Sequence, residues 1–122
     1  MVPGGNILLV TTATAETLGV QGFPQMMAAE QYVVDHHLAQ VISQSFASTE
    51  EAFGSPQSLQ NLRHAFISAS QNGVTVLGSS GDGGTANGRK APVAGPNAGA
   101  VFPFPTVEWP ASDPLVTGVG GT

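Results

Sequence analysis

The residue best placed to do chemistry is Asp82, a single acid in the glycine turn Ser80-Gly81-Asp82-Gly83-Gly84. The turn follows residues 74–79, an apolar run without polar alternation, which predicts a strand of a parallel sheet that is buried on both faces. In such sheets ligands collect at the carboxyl ends of the strands. The glycines let the backbone turn tightly around the acid. Because Asp-Gly pairs are also ordinary turn formers, the turn alone leaves a purely structural role open.

Two other arrangements offer chemistry. A Ser-His-Asp triad could combine Ser43 or Ser45 with His64 and Asp82, but the Gly-x-Ser-x-Gly elbow that exposes such a nucleophile is absent from the sequence. The glycine loop 81–88 could cradle a phosphate and make the chain a small-ligand-binding domain. That loop lacks both the lysine of a phosphate-binding loop and the glycine spacing of a dinucleotide site.

A metal site has little support in the sequence. His36 and His37 follow Asp35, but adjacent residues of a helix face different sides, and no third ligand is close in sequence. A charge role at the helix C-terminus is the better interpretation of these histidines. The chain has no cysteine, which excludes disulfides, thiolate nucleophiles and thiolate metal sites. We therefore expect neither a metal nor a cofactor in this chain.

Composition limits the classes of partner. The 122 residues suit a single domain, 1–122, and only 9% of them are charged, against roughly 25% in an average soluble protein. The net charge is −5, and the cations Arg63, Arg89 and Lys90 form no basic face, so we expect no nucleic-acid partner. The chain shows neither the pattern of a signal peptide nor an apolar run long enough to cross a bilayer, so no membrane partner is expected.

Alternating strands and helices must position Asp82. Strands are predicted at residues 6–12, 39–46, 74–79 and 115–119, with helices at 24–37 and from Pro56 to Gly73. Ser55 should cap the second helix at its start, and Asn72-Gly73 should end it in a left-handed turn. The order strand, helix, strand calls for right-handed parallel crossovers. Residues 85–107 lack any period and predict a long loop of the single domain.

The predicted apolar faces of the two helices follow three-to-four spacing. They consist of Phe23, Met26, Met27, Val33, Val34 and His37 in the first helix and of Leu59, Leu62, Phe66 and Ala69 in the second.

Four segments carry motifs in a fixed order. They are Val2-Pro3-Gly4-Gly5-Asn6-Ile7, Val41-Ile42-Ser43-Gln44-Ser45-Phe46-Ala47, the turn 80–84, and the segment 110–122, Pro-Ala-Ser-Asp-Pro-Leu-Val-Thr-Gly-Val-Gly-Gly-Thr. In this order they resemble the sedolisin family of serine-carboxyl peptidases, which are similar to subtilisins in fold. The resemblance implies an α/β fold: a three-layer, subtilisin-like parallel sheet with flanking helices, truncated to three or four strands.

The resemblance implies a role for Asp82. The turn is similar to the family's Ser-Gly-Asp-Ser-Gly, whose acid lies in the oxyanion hole, where subtilisins have an asparagine; Gly83 departs from the family's serine. A tetrahedral intermediate needs a hydrogen-bond donor, so Asp82 would have to be protonated there. This chemistry suits acid pH and a carboxyl group in a dry site.

The resemblance also implies substrate contacts. Ser45, Phe46 and Ala47 would lie beside an extended peptide and pair with its backbone, and Ser80 and Gly81 would complete this substrate-binding surface. Phe46 and Ala47 replace the family's Trp and Gly. The shape of the specificity pocket is therefore not predicted.

The resemblance leaves the rest of the catalytic apparatus outside the chain. In the family, the Glu and Asp of the Ser-Glu-Asp triad precede the Pro-Gly segment, and the nucleophilic serine lies in a Gly-Thr-Ser motif beyond the segment that ends here in Gly121-Thr122. We therefore expect an internal fragment of a secreted, acid-acting endopeptidase whose parent cleaves peptides or proteins, inactive by itself. The alternatives are a non-catalytic, self-associating α/β module and the glycine-loop ligand-binding domain. Because the sheet is truncated, we expect a homo-oligomer.

Overall fold

The computed structural model describes residues 3–13, 16–88 and 101–120. In chain order, the elements are a 3-10 turn Glu16–Gln21, helix α1 Phe23–Asp35, strands β1 Val41–Gln44 and β2 Ser48–Thr49, a 3-10 turn Glu50–Ala52, helices α2 Pro56–Gln60 and α3 His64–Gln71, and strands β3 Thr75–Ser79, β4 Glu108–Trp109 and β5 Thr117–Val119. The predictions on Val2, on Arg89 and Lys90, on the middle of the predicted loop (89–100) and on Gly121-Thr122 lie outside the described residues.

The centre of the fold is a parallel sheet with strand order β1-β3-β5. Gln44 of β1 is in register with Gly78 of β3, and Gly78 is in register with Gly118 of β5. Helices α2 and α3 connect β1 to β3, as a parallel crossover requires. A second, antiparallel pair joins β2 to β4 and places Thr49 opposite Glu108. The predicted α/β class with a parallel sheet is confirmed.

Helix α1 matches its prediction except at its end. Pro24 lies in the first turn, where its missing N–H costs no hydrogen bond. The helix ends at Asp35, and His36 caps it, with Nδ1 2.9 Å from the carbonyl oxygen of Tyr32 and the imidazole stacked on the Tyr32 ring. The prediction that His37 belongs to the apolar face is wrong. His37 lies beyond the helix and is exposed, and its backbone has a positive φ of 51°.

The predicted second helix is two helices. Residues 61–63 interrupt it between α2 and α3, and this turn carries Arg63 to an ion pair with Asp113. The predicted left-handed cap is confirmed, because Gly73 has a φ of 70°. The predicted apolar stripe is buried at Leu62, Phe66 and Ala69.

The Ser55 cap is confirmed as a reciprocal pair. Its hydroxyl accepts from the Ser58 amide at 3.2 Å, and the Ser58 hydroxyl accepts from the Ser55 amide at 3.1 Å. Replacing Ser55 by Ala is expected to cost about 1 kcal/mol of unfolding free energy, because the Ser58 amide loses its side-chain acceptor. Urea unfolding checks this. The exposed Ser70→Ala in α3 is the control, with an expected change within about 0.5 kcal/mol; equal losses in both variants would mean that the cap contributes nothing.

Trp109 lies at the centre of the core. It is fully buried, and its ring lies 5.1 Å from that of Phe23, 5.6 Å from that of Phe53 and 5.4 Å from that of Phe66. The surrounding buried residues come from α1, from α3 and the turn before it, from β3 and from the segment before β5: Phe23, Met26, Met27, Val34, Leu62, Ala65, Phe66, Ala69, Val76 and Val116. This packing fixes β4, and therefore the position of Glu108 beside Trp109.

Two strand predictions fail in informative ways. Residues 6–12 form no strand, and Ile7 is 95% exposed and Leu9 83% exposed. Strand β3 is not buried on both faces, since Val76 is buried while Thr75 is exposed. A continuous apolar run requires cover on both faces of the sheet, and the described residues supply it on one face only.

None of the helices in the described part of the chain has the length and apolar character needed to cross a bilayer.

Candidate functional site

A cavity of about 620 Å³ opens at the carboxyl end of β3. Ser80 continues the strand, because its amide donates to the carbonyl oxygen of Val119 at 2.9 Å. The cavity is lined by the glycine turn, the segment around β4, and β5: Ser80, Gly81, Asp82, Gly84, Thr85, Thr106, Val107, Glu108, Ala111, Ser112 and Gly118. Three of the residues singled out from the sequence, Ser80, Gly81 and Asp82, thus share one cavity.

The turn depends on its glycines. Gly81 has a φ of 85° and Gly84 a φ of 59°, values that residues with a side chain rarely adopt. Asp82 lies between them and is exposed to solvent at the cavity. The space beside Gly81 is already occupied: a Cβ atom there would collide with the Glu108 carboxyl group. The missing side chain at position 81 therefore brings Glu108 directly against the turn.

Glu108 makes the cavity a site with two acids. Burial raises the pKa of the half-buried Glu108 carboxyl, and the negative charge of Asp82 raises it further. The two groups are therefore electrostatically coupled, and Glu108 keeps its proton to higher pH than an ordinary glutamate. A shared cavity with two carboxyl groups disfavours a phosphate ligand, which weakens the glycine-loop alternative.

The contact at Gly81 gives a stability prediction. Replacing Gly81 by Ala is expected to cost about 1–3 kcal/mol, because alanine is strained at this φ and its methyl group displaces Glu108. Gly84→Ala is the matched control. It has a positive φ but nothing within 4 Å of its Cβ position, so it should lose only about 1 kcal/mol. Urea unfolding of both variants separates the backbone strain, which both share, from the collision with Glu108, which only Gly81→Ala has. Equal losses of unfolding free energy would contradict the contact with Glu108.

The buried Asn87 orders the chain on the side of the cavity that is lined by Thr85 and Thr106. Asn87 donates through Nδ2 to Thr106 Oγ1 at 2.9 Å. The main-chain carbonyl oxygen of Asn87 accepts from the Phe102 amide at 3.1 Å. The Thr106 amide in turn donates to the carbonyl oxygen of Thr85 at 3.1 Å. These bonds tie the chain after the turn to the chain before β4. The two ends of the long loop are therefore ordered against each other.

Hydrogen bonds of Ser112 and Asp113 fix the chain that follows Glu108. The Ser112 amide donates to the carbonyl oxygen of Glu108 at 3.0 Å, and its hydroxyl donates to Glu50 Oε1 at 2.5 Å. Asp113, whose side chain is 1% exposed, accepts from Arg63 Nε at 2.5 Å and from Arg63 Nη2 at 3.1 Å. An ion pair with one partner buried and bidentate geometry is among the stronger kinds. The segment around Ser112, which lines the cavity, is thus anchored to the turn between α2 and α3.

The predicted substrate strand lies at the same edge of the sheet. Gln44 is level with Gly78, so Ser45, Phe46 and Ala47 leave β1 beside the end of β3. None of the three lines the cavity of Asp82. Phe46 instead packs edge-on against Phe23, with 5.7 Å between ring centroids, and lines a separate cavity beside α1. Their contacts with substrate remain predictions.

The remaining candidates do not converge on Asp82. His64 begins α3, with Nδ1 3.3 Å from the carbonyl oxygen of Asn61, and neither it nor Ser43 nor Ser45 lines the cavity. Across residues 3–13, 16–88 and 101–120, no group of three His, Cys, Asp or Glu side chains is placed to hold a metal ion.

Sequence reasoning missed Glu108, Ser112 and Thr106. They line the cavity because the antiparallel pairing of β4 with β2 and the burial of Trp109 bring their segment to the glycine turn. No local motif marks them. The adjoining motif at 110–122 was visible in the sequence, but its juxtaposition with the turn at 80–84 is a tertiary feature.

Of the comparisons with known proteins, the one with solved structures agrees with this architecture. No protein-family model matches the chain, and no curated protein matches it. Among solved structures, the chain is similar to Pseudomonas sedolisin, a serine-carboxyl proteinase whose structure was determined in complex with two molecules of pseudo-iodotyrostatin, with a TM-score of 0.64 and 32% sequence identity. The match covers 83% of this chain and 26% of that chain, so this chain spans about a quarter of the sedolisin. The fold is therefore sedolisin-like.

Proposed function

We propose that the chain is an internal part of a serine-carboxyl endopeptidase of the sedolisin family, in which Asp82 is the oxyanion-hole acid. The observation that carries the proposal is the position of Asp82, in a cavity at the carboxyl end of a parallel strand and beside a second carboxyl group. The 32% identity to Pseudomonas sedolisin over 83% of the chain supports it. The proposed parent enzyme is secreted and acts on peptides or proteins.

The proposed chemistry follows from the protonation of Asp82. A protonated carboxyl group donates a hydrogen bond, so it can stabilise the negative oxygen that forms when a nucleophile attacks a peptide carbonyl. A protonated Glu108 supports this chemistry, because it adds no second negative charge beside the oxyanion. A carboxylate cannot donate a hydrogen bond, so the proposed donor exists only in the protonated acid. The activity should therefore be confined to acid pH.

In this proposal the chain supplies the oxyanion donor and part of the substrate surface, but neither nucleophile nor base. Ser45, Phe46 and Ala47 run beside the substrate backbone, and Ser80 and Gly81 contact it near the scissile bond. By itself the chain is then inactive as a peptidase. Cleavage of an unfolded protein at pH 4 by the pure chain, abolished in Asp82→Ala, would overturn this part of the proposal.

Peptide binding tests the proposed substrate surface without requiring activity. Titrating the ¹⁵N-labelled chain with a blocked extended peptide at pH 4 should shift the amide signals of residues 45–47 and 80–82 together. The same shifts should weaken at pH 7 and in Asp82→Ala, because the protonated donor is lost in both cases. Asp35→Asn, which removes an exposed acid on α1, should behave like the wild-type chain. Shifts confined to other residues would contradict the proposal.

A specific observation also favours self-association. Five apolar side chains, four in the segment 7–10 and one at the start of β1, are exposed: Ile7, Leu8, Leu9, Val10 and Val41. Burying such a strip between two copies removes apolar area from water, and only 9% of the residues are charged to oppose contact. We therefore propose that the pure chain forms a dimer or larger assembly. A monomeric mass by light scattering at the highest attainable concentration would contradict this.

A further inference from the structure

A second cavity, of about 510 Å³, lies between residues 8–12, helix α1 and strand β1. Its walls are mostly apolar: Leu8, Leu9, Val10, Met26, Ala29, Val33, Val41, Ile42 and Phe46. The polar side chains in its lining are Thr11, Thr12, Ser43, Glu30 and Gln44, of which Glu30 and Gln44 are buried. Glu30 of α1 is 8% exposed, and Gln44 of β1 is 6% exposed. The cavity is thus a mostly apolar space with two buried polar groups, Glu30 and Gln44, in its wall.

Within residues 3–13, 16–88 and 101–120, none of the four polar side-chain atoms of Glu30 and Gln44 has a hydrogen-bond partner. A buried polar group without a partner costs free energy, and native structures contain few of them. Burial raises the pKa of Glu30 to about 8, and no other ionisable side chain lines this cavity. The site therefore lacks a group that would offer hydrogen bonds and positive charge.

The missing group can be specified from the acceptors. An ionised Glu30 offers two oxygens and Gln44 offers one, which matches the three N–H donors of a primary ammonium group. The apolar walls match an alkyl stem, as in a lysine side chain that keeps its carbons in an apolar environment. Strand β1 pairs with β3 alone among the described strands, so its other edge can receive an extended segment.

We propose that this cavity binds the ammonium group of a lysine carried by an extended polypeptide segment, with Glu30 and Gln44 as its hydrogen-bond acceptors. The segment lies along the free edge of β1. Pairing with the cation ionises Glu30, so one proton leaves the carboxyl group as the complex forms below the pKa of the free site. The site is independent of the peptidase chemistry proposed for Asp82. It competes with the proposed self-association, because Leu8, Leu9, Val10 and Val41 line the cavity and also belong to the exposed apolar strip.

Calorimetric titration at pH 7 tests this with two blocked peptides, acetyl-Val-Leu-Lys-Val-Leu-amide and the same sequence with norleucine at the lysine. The lysine peptide should bind roughly 10–100-fold more tightly, because a hydrogen-bonded charge pair forms with it alone. Its binding heat should vary with the ionisation enthalpy of the buffer, which reports the released proton. The norleucine peptide should show no such variation.

Substitutions at Glu30 and Gln44 test whether these two residues accept the hydrogen bonds of the ammonium group. Glu30→Gln keeps the side-chain shape and should abolish both the preference for lysine and the proton release, and Gln44→Leu should reduce the preference. Asp35→Asn, an exposed acid on the same helix, should leave both unchanged. Equal binding of the two peptides, or an unchanged preference in Glu30→Gln, overturns the proposal. Binding of n-butylammonium as tight as that of the lysine peptide overturns the polypeptide part, because the strand edge then contributes nothing.

Discussion

Replacing Glu30 by Gln is expected to remove a large part of the pH dependence of folding stability. The folded chain holds this carboxyl group protonated up to a pKa of about 8, whereas the ordinary pKa of a glutamate is 4.5. Between these two values the unfolded state has released the proton and the folded state has not. Stability is therefore fully present below about pH 4.5 and is lost as pH rises, until Glu30 ionises in the folded chain as well.

The expected loss is on the order of 5 kcal/mol across this window, at about 1.4 kcal/mol for each pKa unit. That is comparable with the whole stability of a small domain. Urea unfolding at several pH values between 4 and 9 measures it. Glu30→Gln should match the wild-type chain near pH 4 and exceed it by several kcal/mol near pH 9, because glutamine cannot ionise.

Asp35→Asn is the control for the Glu30 experiment. Asp35 is an exposed acid of the same helix, so this variant should follow the wild-type curve. A constant difference between Glu30→Gln and the wild-type chain at every pH would mean that Glu30 ionises in the folded chain as it does in water, and the buried site would then be wrongly described.

Helix α1 shows what a sequence reveals and what it leaves hidden. Its existence follows from the apolar spacing and from Pro24. Glu30 was also visible in principle, since it lies four residues after Met26 and three before Val33, on the apolar face. A lone acid in an apolar stripe is a signal of a buried ionisable group. What the sequence does not reveal is the absence of a hydrogen-bond partner, which depends on packing between α1 and β1.

The site around Asp82 divides in the same way. The glycine turn and its position after a strand were predictable, because both are local features of residues 74–84. Glu108 was not, since it reaches the turn only through the burial of Trp109 and the pairing of β4 with β2. Residues 6–12 were predicted as a strand from their apolar, β-branched composition. They form none here, because a strand depends on a paired edge and a covered face, which composition alone does not supply.

The proposal that Asp82 is an oxyanion donor predicts the largest kinetic effect. It is tested in the proposed parent enzyme, which should hydrolyse an unfolded protein at pH 4. Asp82→Ala should lower kcat by about 100–1000-fold, as the loss of one oxyanion donor does elsewhere. Asp82→Asn should retain more activity than Asp82→Ala and should lose the requirement for acid pH, because an amide donates without being protonated.

The most direct measurement of the central claim is the pH profile of kcat for the wild-type enzyme, Asp82→Ala and Asp82→Asn, with circular dichroism to show that each variant is folded. The account predicts an acid-limited profile for the wild-type enzyme, an Asp82→Ala variant at least 100-fold slower at pH 4, and an Asp82→Asn profile that extends to neutral pH. A folded Asp82→Ala variant with kcat within threefold of the wild-type value at pH 4 would contradict it.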